Sequence, residues 1–435
     1  MPDTVQQIYS RGIYHALPTF PPHVRDLTAI VTGANGISGA YMLRVLAQSP
    51  TRWKRIICLS RRPPLVQGGL PSNAEHIAVD FLSSPEEIAQ VLKHNNVTTV
   101  DHVFFYSYVQ TAPKPGQGLW SDAAEMARVN TLLLTNFLSA LPLANLTPKR
   151  IMLQTGAKNY GVHLGPTKLP QEESDPRVDQ FEPNFYYPQE DALFAYCRSR
   201  AAGWNICMPG PILGAVPDAA MNLAFPMAVY AAVTAHMKAE LAFPGDIASW
   251  QSYTSMSSSM MNAYQEEWAV LTPAAENQKL NTWDDSAFTW EGFWPRLAGW
   301  YGVRWKGPDE GAKYVERETR FNPRGYGGNG VSRRRFTFVE WAGRKDVADA
   351  WREMAQRDGL APKELKEMDI ERVFSFLDGS TEGEFQLTVC NRSDKARKLG
   401  WHGFVDSSES LLEVFDDLAK LKMIPPVPKV EVKFN

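Results

Sequence analysis

Thr32-Gly33-Ala34-Asn35-Gly36-Ile37-Ser38-Gly39 decides how this chain folds. It follows a short apolar run, Leu27 to Val31, and leads into an amphipathic stretch, Ala40 to Gln48. Glycines spaced by three let the backbone turn tightly, approach a pyrophosphate and pack the next helix on the strand. The free N–H groups of that helix then face the anion. Strand before and helix after make this a dinucleotide-binding turn rather than an isolated glycine cluster. Gly33, Asn35, Gly36, Ile37 and Gly39 are its candidate cofactor-binding residues.

Outward from that turn, short β-branched or aromatic runs alternate with helical patterns, which is how βαβ units read. The runs are Leu27 to Val31, Arg55 to Leu59, His76 to Val79, His102 to Tyr106, Arg150 to Gln154 and Trp204 to Met208. Ala40 to Gln48, Pro85 to Lys93 and Ala123 to Leu141 lie between them with apolar residues at three and four. The pattern predicts an α/β chain with a Rossmann-type, doubly wound parallel sheet. Past residue 215 it turns helical and aromatic, with helices expected over Met221 to Ala239, Phe288 to Tyr301, Arg344 to Arg357, Pro362 to Glu367 and Ser408 to Leu421. The expected organisation is a dinucleotide domain over 1–215, to which a segment near 245–285 returns, and a smaller, mostly helical substrate-capping region over 216–435. Phe293, Trp294, Leu297, Trp300 and Tyr301 share one helical face, expected to face a core. Glu316 to Arg335, with Gly325, Gly327, Gly328, Gly330 and then Arg333 to Arg335, reads as an exposed loop.

Composition excludes several classes. With 44% hydrophobic and 21% charged residues among 435, the chain is neither disordered nor fibrous. The net charge of −3 offers no cationic surface for nucleic acid. Four cysteines, Cys58, Cys197, Cys207 and Cys390, with no CxxC pair, fit neither a disulfide scaffold nor a zinc module, so no metal is expected. Met1 to Gly12 has no apolar segment for a secretory signal, and Met221 to Met237 is interrupted by Asn222, Pro226 and Thr234. A cytoplasmic protein without a membrane span is expected.

The second strand selects the nucleotide. An NAD site needs a carboxylate near its end for the ribose 2′-hydroxyl, and an NADP site has cationic donors there instead. No Asp or Glu lies between Asp26 and Glu75, whereas Arg44, Arg52, Lys54, Arg55, Arg61 and Arg62 do. Ser60-Arg61-Arg62 stands where the acid would be, and guanidinium forks suit phosphate. The expected cofactor is NADPH/NADP. Asp80-Phe81 follows the third strand and is assigned to the adenine edge; Ser107 ends the fourth, on the nicotinamide side.

Reductases on this fold commonly pair a Tyr with a Lys four residues later on one helix. None of the 15 tyrosines has Lys at that distance; Tyr196 has Arg200 there, a permanent charge that shares poorly in proton traffic. Either the chain is non-catalytic or its Lys comes from another element.

Leu153-Gln154-Thr155-Gly156-Ala157-Lys158-Asn159-Tyr160 resembles the LQTGxKHY signature of the progesterone 5β-reductase and iridoid synthase (PRISE) family of atypical extended short-chain dehydrogenases. Asp175-Pro176-Arg177 and Asn184-Phe185-Tyr186-Tyr187-Pro188-Gln189-Glu190-Asp191 are similar to its DxPR and NFYYxxED signatures, and the likeness runs along nearly the whole chain. The resemblance implies a catalytic Lys158 after the fifth strand and a catalytic Tyr186 on the following helix. It implies further cofactor contacts at Gln154, Tyr186, Ile212, Ala219, Ala220 and Met221, and a possible homodimer. The chemistry it implies is NADPH-dependent 1,4-reduction of a C=C bond conjugated to a carbonyl, on a small enone or enal, in secondary metabolism. Tyr187, Glu190 and Asp191 are given structural roles. Asn159 for the usual His, Met208 for an Arg, and Ala219-Ala220 in a Ser-Met-Met-Asn phrase depart from the plant pattern, as does the insertion Gly161 to Gly165. These departures are expected beside the substrate and resemble fungal members. A carbonyl reductase, epimerase or isomerase on the same fold, and a non-catalytic NADP-sensing regulator, are the alternatives.

Overall fold

The computed structural model describes residues 6–66, 68–114, 120–165, 167–219, 221–318, 331–381 and 390–429. Seven parallel strands form the central sheet: β1 (Leu27–Thr32), β2 (Trp53–Ser60), β3 (Ala74–Ala78), β4 (His102–Phe105), β5 (Arg150–Gln154), β6 (Gly203–Pro209) and β7 (Gln278–Thr282), in spatial order β3-β2-β1-β4-β5-β6-β7. The order reverses between β1 and β4, and a crevice at that reversal is where ligands bind in doubly wound sheets.

Both faces of the sheet are buried, so neighbouring residues of one strand enter different cores. Ala29 and Val31 of β1 pack with α1 (Ile37–Ala47), whereas Ile30 between them packs with α2 (Pro85–His94) and α3 (Ala123–Leu143). α4 (Tyr186–Arg200) completes that second layer. Ser84 starts α2 with a capping box, its hydroxyl accepting from the Glu87 N–H, with Pro85 as the first helical residue.

The chain past residue 215 divides between two cores. α5 (Ala224–His236) is buried without interruption from Ala224 to Thr234, as an all-round apolar helix must be. Around it pack α7 (Trp290–Tyr301), α8 (Lys345–Asp358), α9 (Ile370–Thr381) and α10 (Ser407–Lys420), with Trp294, Trp351, Phe374 and Phe415 filling the gaps. Phe293, Trp294, Leu297 and Tyr301 are buried there, while Trp300 remains partly open. In contrast, α6 (Ser259–Leu271) and β7 return to the sheet, α6 against α1 and β7 beside β6, and Ala396, Trp401 and Val405 join the same core.

Three local expectations are corrected. Pro362 to Glu367 forms only a short 3-10 turn, Leu365–Met368, and the helix is α9, whose Arg372 N–H is received by the Asp369 carboxylate. Glu316 to Arg335 is not simply a loop: Val315–Glu318 and Val331–Arg334 pair as an antiparallel ladder, and Arg335 donates to the carbonyl oxygens of Phe243 and Gly307. Gly325, Gly327, Gly328 and Gly330 lie outside the described residues. Helix α1 begins at Ile37 rather than Ala40, so part of the glycine turn is already its first turn. No helix among the described residues is long and apolar enough to cross a membrane.

Two carboxylates of α6 are buried. Glu267 receives the Trp53 indole N–H and Arg52, each at 2.7 Å. Glu266 receives the Tyr106 hydroxyl, and burial pushes its pKa up to about 8 against that hydrogen bond. A carboxyl held above its unfolded pKa binds an extra proton in the folded state, so its contribution to stability falls as pH rises from about 4.5 to about 8. Glu266→Gln removes that slope. The stability difference between variant and wild type is expected to grow in the variant's favour across this range, by a few kcal/mol in order of magnitude. Urea unfolding at pH 5 and 8.5 measures it, and a pH-independent difference would contradict the assignment.

Candidate active site

A continuous cavity of ≈ 1830 Å³ runs along the carboxyl ends of the strands. At its floor lies the turn between β1 and α1. Gly33 has φ +60, and a Cβ on it would stand 3.0 Å from the Tyr106 carbonyl group. A Cβ on Gly39 would stand 2.4 Å from the Gly33 oxygen, which leaves no room for any side chain. Thr32 Oγ1 accepts from the N–H groups of Tyr106 and Ser107 (3.0 and 3.2 Å), pinning the end of β4 beside the turn.

The cavity is lined by Gly33, Asn35, Gly36, Ile37 and Gly39, by Ser60, Arg61 and Arg62, by Asp80 and Phe81, by Ser107, Gln154, Lys158 and Tyr186, and by Ile212, Ala219 and Met221. Ala220 lies outside the described residues. Ser60 is buried and its hydroxyl donates to the Arg62 carbonyl (2.7 Å), which shapes the turn that leaves Arg61 and Arg62 exposed. Asp80 accepts the Leu82 N–H (2.9 Å), while Phe81 is buried against Phe105 and Phe137. Gln154 Nε2 donates to Ser38 Oγ (2.9 Å), but its Oε1 is buried without a partner, as is Thr155 Oγ1. Glycines that admit no Cβ, a helix start, two exposed guanidiniums and an orphaned amide oxygen together suit a dinucleotide.

The window of six cations is smaller in effect than the sequence suggests. Arg44 pairs with Asp417 (2.7 Å), Arg52 with Glu267 (2.7 Å) and Arg55 with Glu75 (2.6 Å). Of the six, Arg61 and Arg62 line the cavity. The acids missing from the window are supplied by helices remote in sequence and by Glu75 at its edge.

Lys158 sits on a 3-10 turn, Ala157–Tyr160, directly after β5, and Tyr186 starts α4. Asn184 joins the two elements: its Nδ2 donates to the Lys158 carbonyl (2.9 Å) and its Oδ1 accepts the Tyr186 N–H (3.1 Å). A Cβ on Gly156 would come within 3.2 Å of the Tyr186 hydroxyl, so glycine lets the phenol lie against the Lys158 turn. Burial raises the Tyr186 pKa further above the ordinary phenol value, with Tyr108 adding to it, so the phenol remains protonated at neutral pH. Burial pushes Lys158 down to about 7, against the opposing field of Glu182. Its ammonium lies 3.2 Å from the centroid of the Trp120 ring, whose indole N–H donates to the Tyr108 hydroxyl (3.1 Å).

Behind these groups the two signature segments interlock. Glu190, fully buried, accepts from Asn159 Nδ2 (2.7 Å), from Arg177 (3.1 Å) and from Lys279 of β7 (2.7 Å). Asp191 receives Arg177 as well, at 2.7 Å, but at the surface. The Tyr187 hydroxyl donates to the Asn159 carbonyl (2.7 Å) and accepts the Val178 N–H (3.0 Å). Asn159 and Met208, expected beside the substrate, instead meet each other in the interior, 3.3 Å apart, because Asn159 turns toward Glu190. The sequence reading passed over Trp120 and Glu182, and it met Asn184 only within a signature and His163 only within the Gly161 to Gly165 insertion, without a role for either. Trp120 and Glu182 carry no periodic or spacing signal, and position in the fold brings Trp120, Glu182 and His163 to the cavity and Asn184 behind it.

The geometry separates two neighbouring carboxylates by burial. Glu190→Gln leaves Arg177 and Lys279 short of a buried counter-charge and is expected to cost about 3–5 kcal/mol. Asp191→Asn, at an exposed pair, is expected to cost no more than about 1 kcal/mol. Urea denaturation of both variants measures the contrast, and equal losses would contradict it.

A family model described as a PRISE-like Rossmann-fold domain matches residues 29–322. The chain is 29% identical over 406 residues to the short chain dehydrogenase gsfE of Penicillium aethiopicum, covering 92% of this chain and 99% of that one. It is 28% identical over 408 residues to the (S)-8-oxocitronellyl enol synthase of Catharanthus roseus, with 91% and 92% covered. It is 27% identical over 417 residues to the 3-oxo-Delta(4,5)-steroid 5-beta-reductase of Arabidopsis thaliana, with 93% and 95% covered. The chain belongs to the PRISE-like Rossmann-fold family and is an oxidoreductase of the short-chain dehydrogenase kind.

Proposed function

We propose that the chain is an NADPH-dependent reductase of a C=C bond conjugated to a carbonyl, acting on a small enone or enal. The observation that carries this reading is that Lys158 and Tyr186 line the same cavity as the glycine turn and the Arg61-Arg62 pair. Gly33, Gly36 and the start of α1 would hold the pyrophosphate, Arg61 and Arg62 the 2′-phosphate, and Gln154 and Ser107 the nicotinamide side. The bound dinucleotide supplies the hydride. The names of the steroid 5-beta-reductase and of the enol synthase support an enone or enal as its acceptor.

The residues of the chain do the rest. When the β-carbon of an enone is reduced, negative charge develops on its carbonyl oxygen. Tyr186, a protonated phenol, donates a hydrogen bond to that oxygen. Lys158 as ammonium makes the phenol a stronger donor, and the desolvation that lowers its pKa also strengthens its field there. Tyr186 acts as a donor rather than a base, because its raised pKa makes phenolate scarce at neutral pH.

Steady-state kinetics with NADPH and a panel of enones, ketones and nucleotide sugars tests the proposal. NADPH oxidation is expected with enones, and oxidation with ketones alone would overturn it. Tyr186→Phe is expected to lower kcat about 10²-fold or more, as removal of an oxyanion donor does. Arg61→Ala with Arg62→Ala is expected to raise the KM for NADPH at least about tenfold while changing that for NADH little. The free enzyme needs Lys158 charged, so kcat/KM is expected to fall as pH rises through about 7. A profile flat from pH 6 to 8.5 would contradict that role.

A further inference from the structure

We infer that His163 is the acid that protonates the α-carbon after reduction of the β-carbon, and that Glu182 is its positioning partner. This inference rests on the enone reading above and extends it to the second half of the reaction. Hydride addition leaves an enolate, which can leave the enzyme as an enol or take a proton at the α-carbon. The second outcome needs an acid other than Tyr186, which is committed to the oxygen. That acid must stand close to the oxygen site, since the two atoms are only two bonds apart.

His163 and Glu182 are the acid–carboxylate pair that lines the same cavity as Tyr186. His163 lies on a second 3-10 turn, Val162–Leu164, immediately after the turn that carries Lys158. Gly161 at φ 75 makes the sharp junction between the two, a conformation that side chains other than glycine rarely adopt. His163 Nε2 lies 3.9 Å from Glu182 Oε1, both side chains are mostly buried, and both line the cavity that Lys158 and Tyr186 also line. Glu182 also supplies the opposing field on the Lys158 ammonium, so one carboxylate bears on both the imidazole and the lysine. The 3.9 Å separation is too long for a direct hydrogen bond but lies within ion-pair range of a protonated imidazole. Proton transfer then balances: the enolate takes the Nε2 proton at its α-carbon, forming a C–H bond and restoring the C=O. The imidazole is reprotonated from solvent through Glu182, so the sum is enone plus NADPH plus one proton giving saturated carbonyl plus NADP.

Protonation by a fixed acid is stereospecific and protonation of a released enol is not. The full chain is therefore incubated with NADPH and an α-methyl cyclic enone, and the configuration at the new α-centre is read by chiral chromatography. Wild type is expected to give one configuration by at least ~10:1, and His163→Gln about 1:1, with the configuration at the β-carbon preserved in a β-substituted analogue. Glu182→Gln, which leaves the imidazole in place, is expected to fall between them, so the inference does not depend on a single variant. A wild-type ratio near unity, or an unchanged ratio in both variants, would overturn it while leaving the reductase reading intact. Failure of every enone to support NADPH oxidation would overturn both.

Discussion

The site depends on one buried carboxylate. Glu190 lies one helical turn after Tyr186 and holds Asn159, the residue after Lys158, at 2.7 Å. Its remaining valences go to Arg177 and to Lys279 of β7. Taking a carboxylate out of water costs several kcal/mol unless good partners surround it. Here those partners come from separate parts of the chain, so the charge is tolerated only when the β5 loop, α4, the Arg177 segment and β7 are assembled together. The same assembly brings Lys158 and Tyr186 to one cavity. Asn184 repeats the device with neutral groups, tying the Lys158 carbonyl to the first N–H of α4.

A Tyr and a Lys brought to one cavity in this way escape a spacing search. Four-residue spacing within one helix finds a Tyr and a Lys that are neighbours on its surface. In this chain they belong to different elements, and their meeting at one cavity is a property of the tertiary fold. Recognition of the LQTGAKNY and NFYYPQED segments named the residues, whereas spacing alone pointed only to an absence. The glycine turn was legible because its constraints are local: Gly33 and Gly39 face backbone within a few residues of themselves or at the neighbouring strand end. The six central-sheet strands before residue 215 were likewise legible from their apolar runs, whereas the hairpin Ile8–Arg11 with Tyr14–Pro18 was not.

What sequence hid was mostly the destination of charge. Arg44, Arg52 and Arg55 read as part of a cationic surface until Asp417, Glu267 and Glu75 meet them in the fold. The seventh strand, Gln278–Thr282, lies in the segment near 245–285 expected to return to the dinucleotide domain, but its polar sequence does not mark it as a strand, and it joins because β6 offers a parallel edge. Helix α9 was missed because Pro362 and Glu367 suggested an earlier start, although Asp369 provides the cap. Asn159 and Met208 looked like substrate-side changes and are interior neighbours instead.

The central claim is that Tyr186 and Lys158 serve charge on a carbonyl oxygen while hydride arrives at the β-carbon, three bonds away. It is tested most directly by the fate of label from 4-deuterated NADPH incubated with the chain and an enone. Deuterium at the β-carbon of a saturated ketone is the expected result. Deuterium on a carbinol carbon, with the C=C bond retained, would contradict the account.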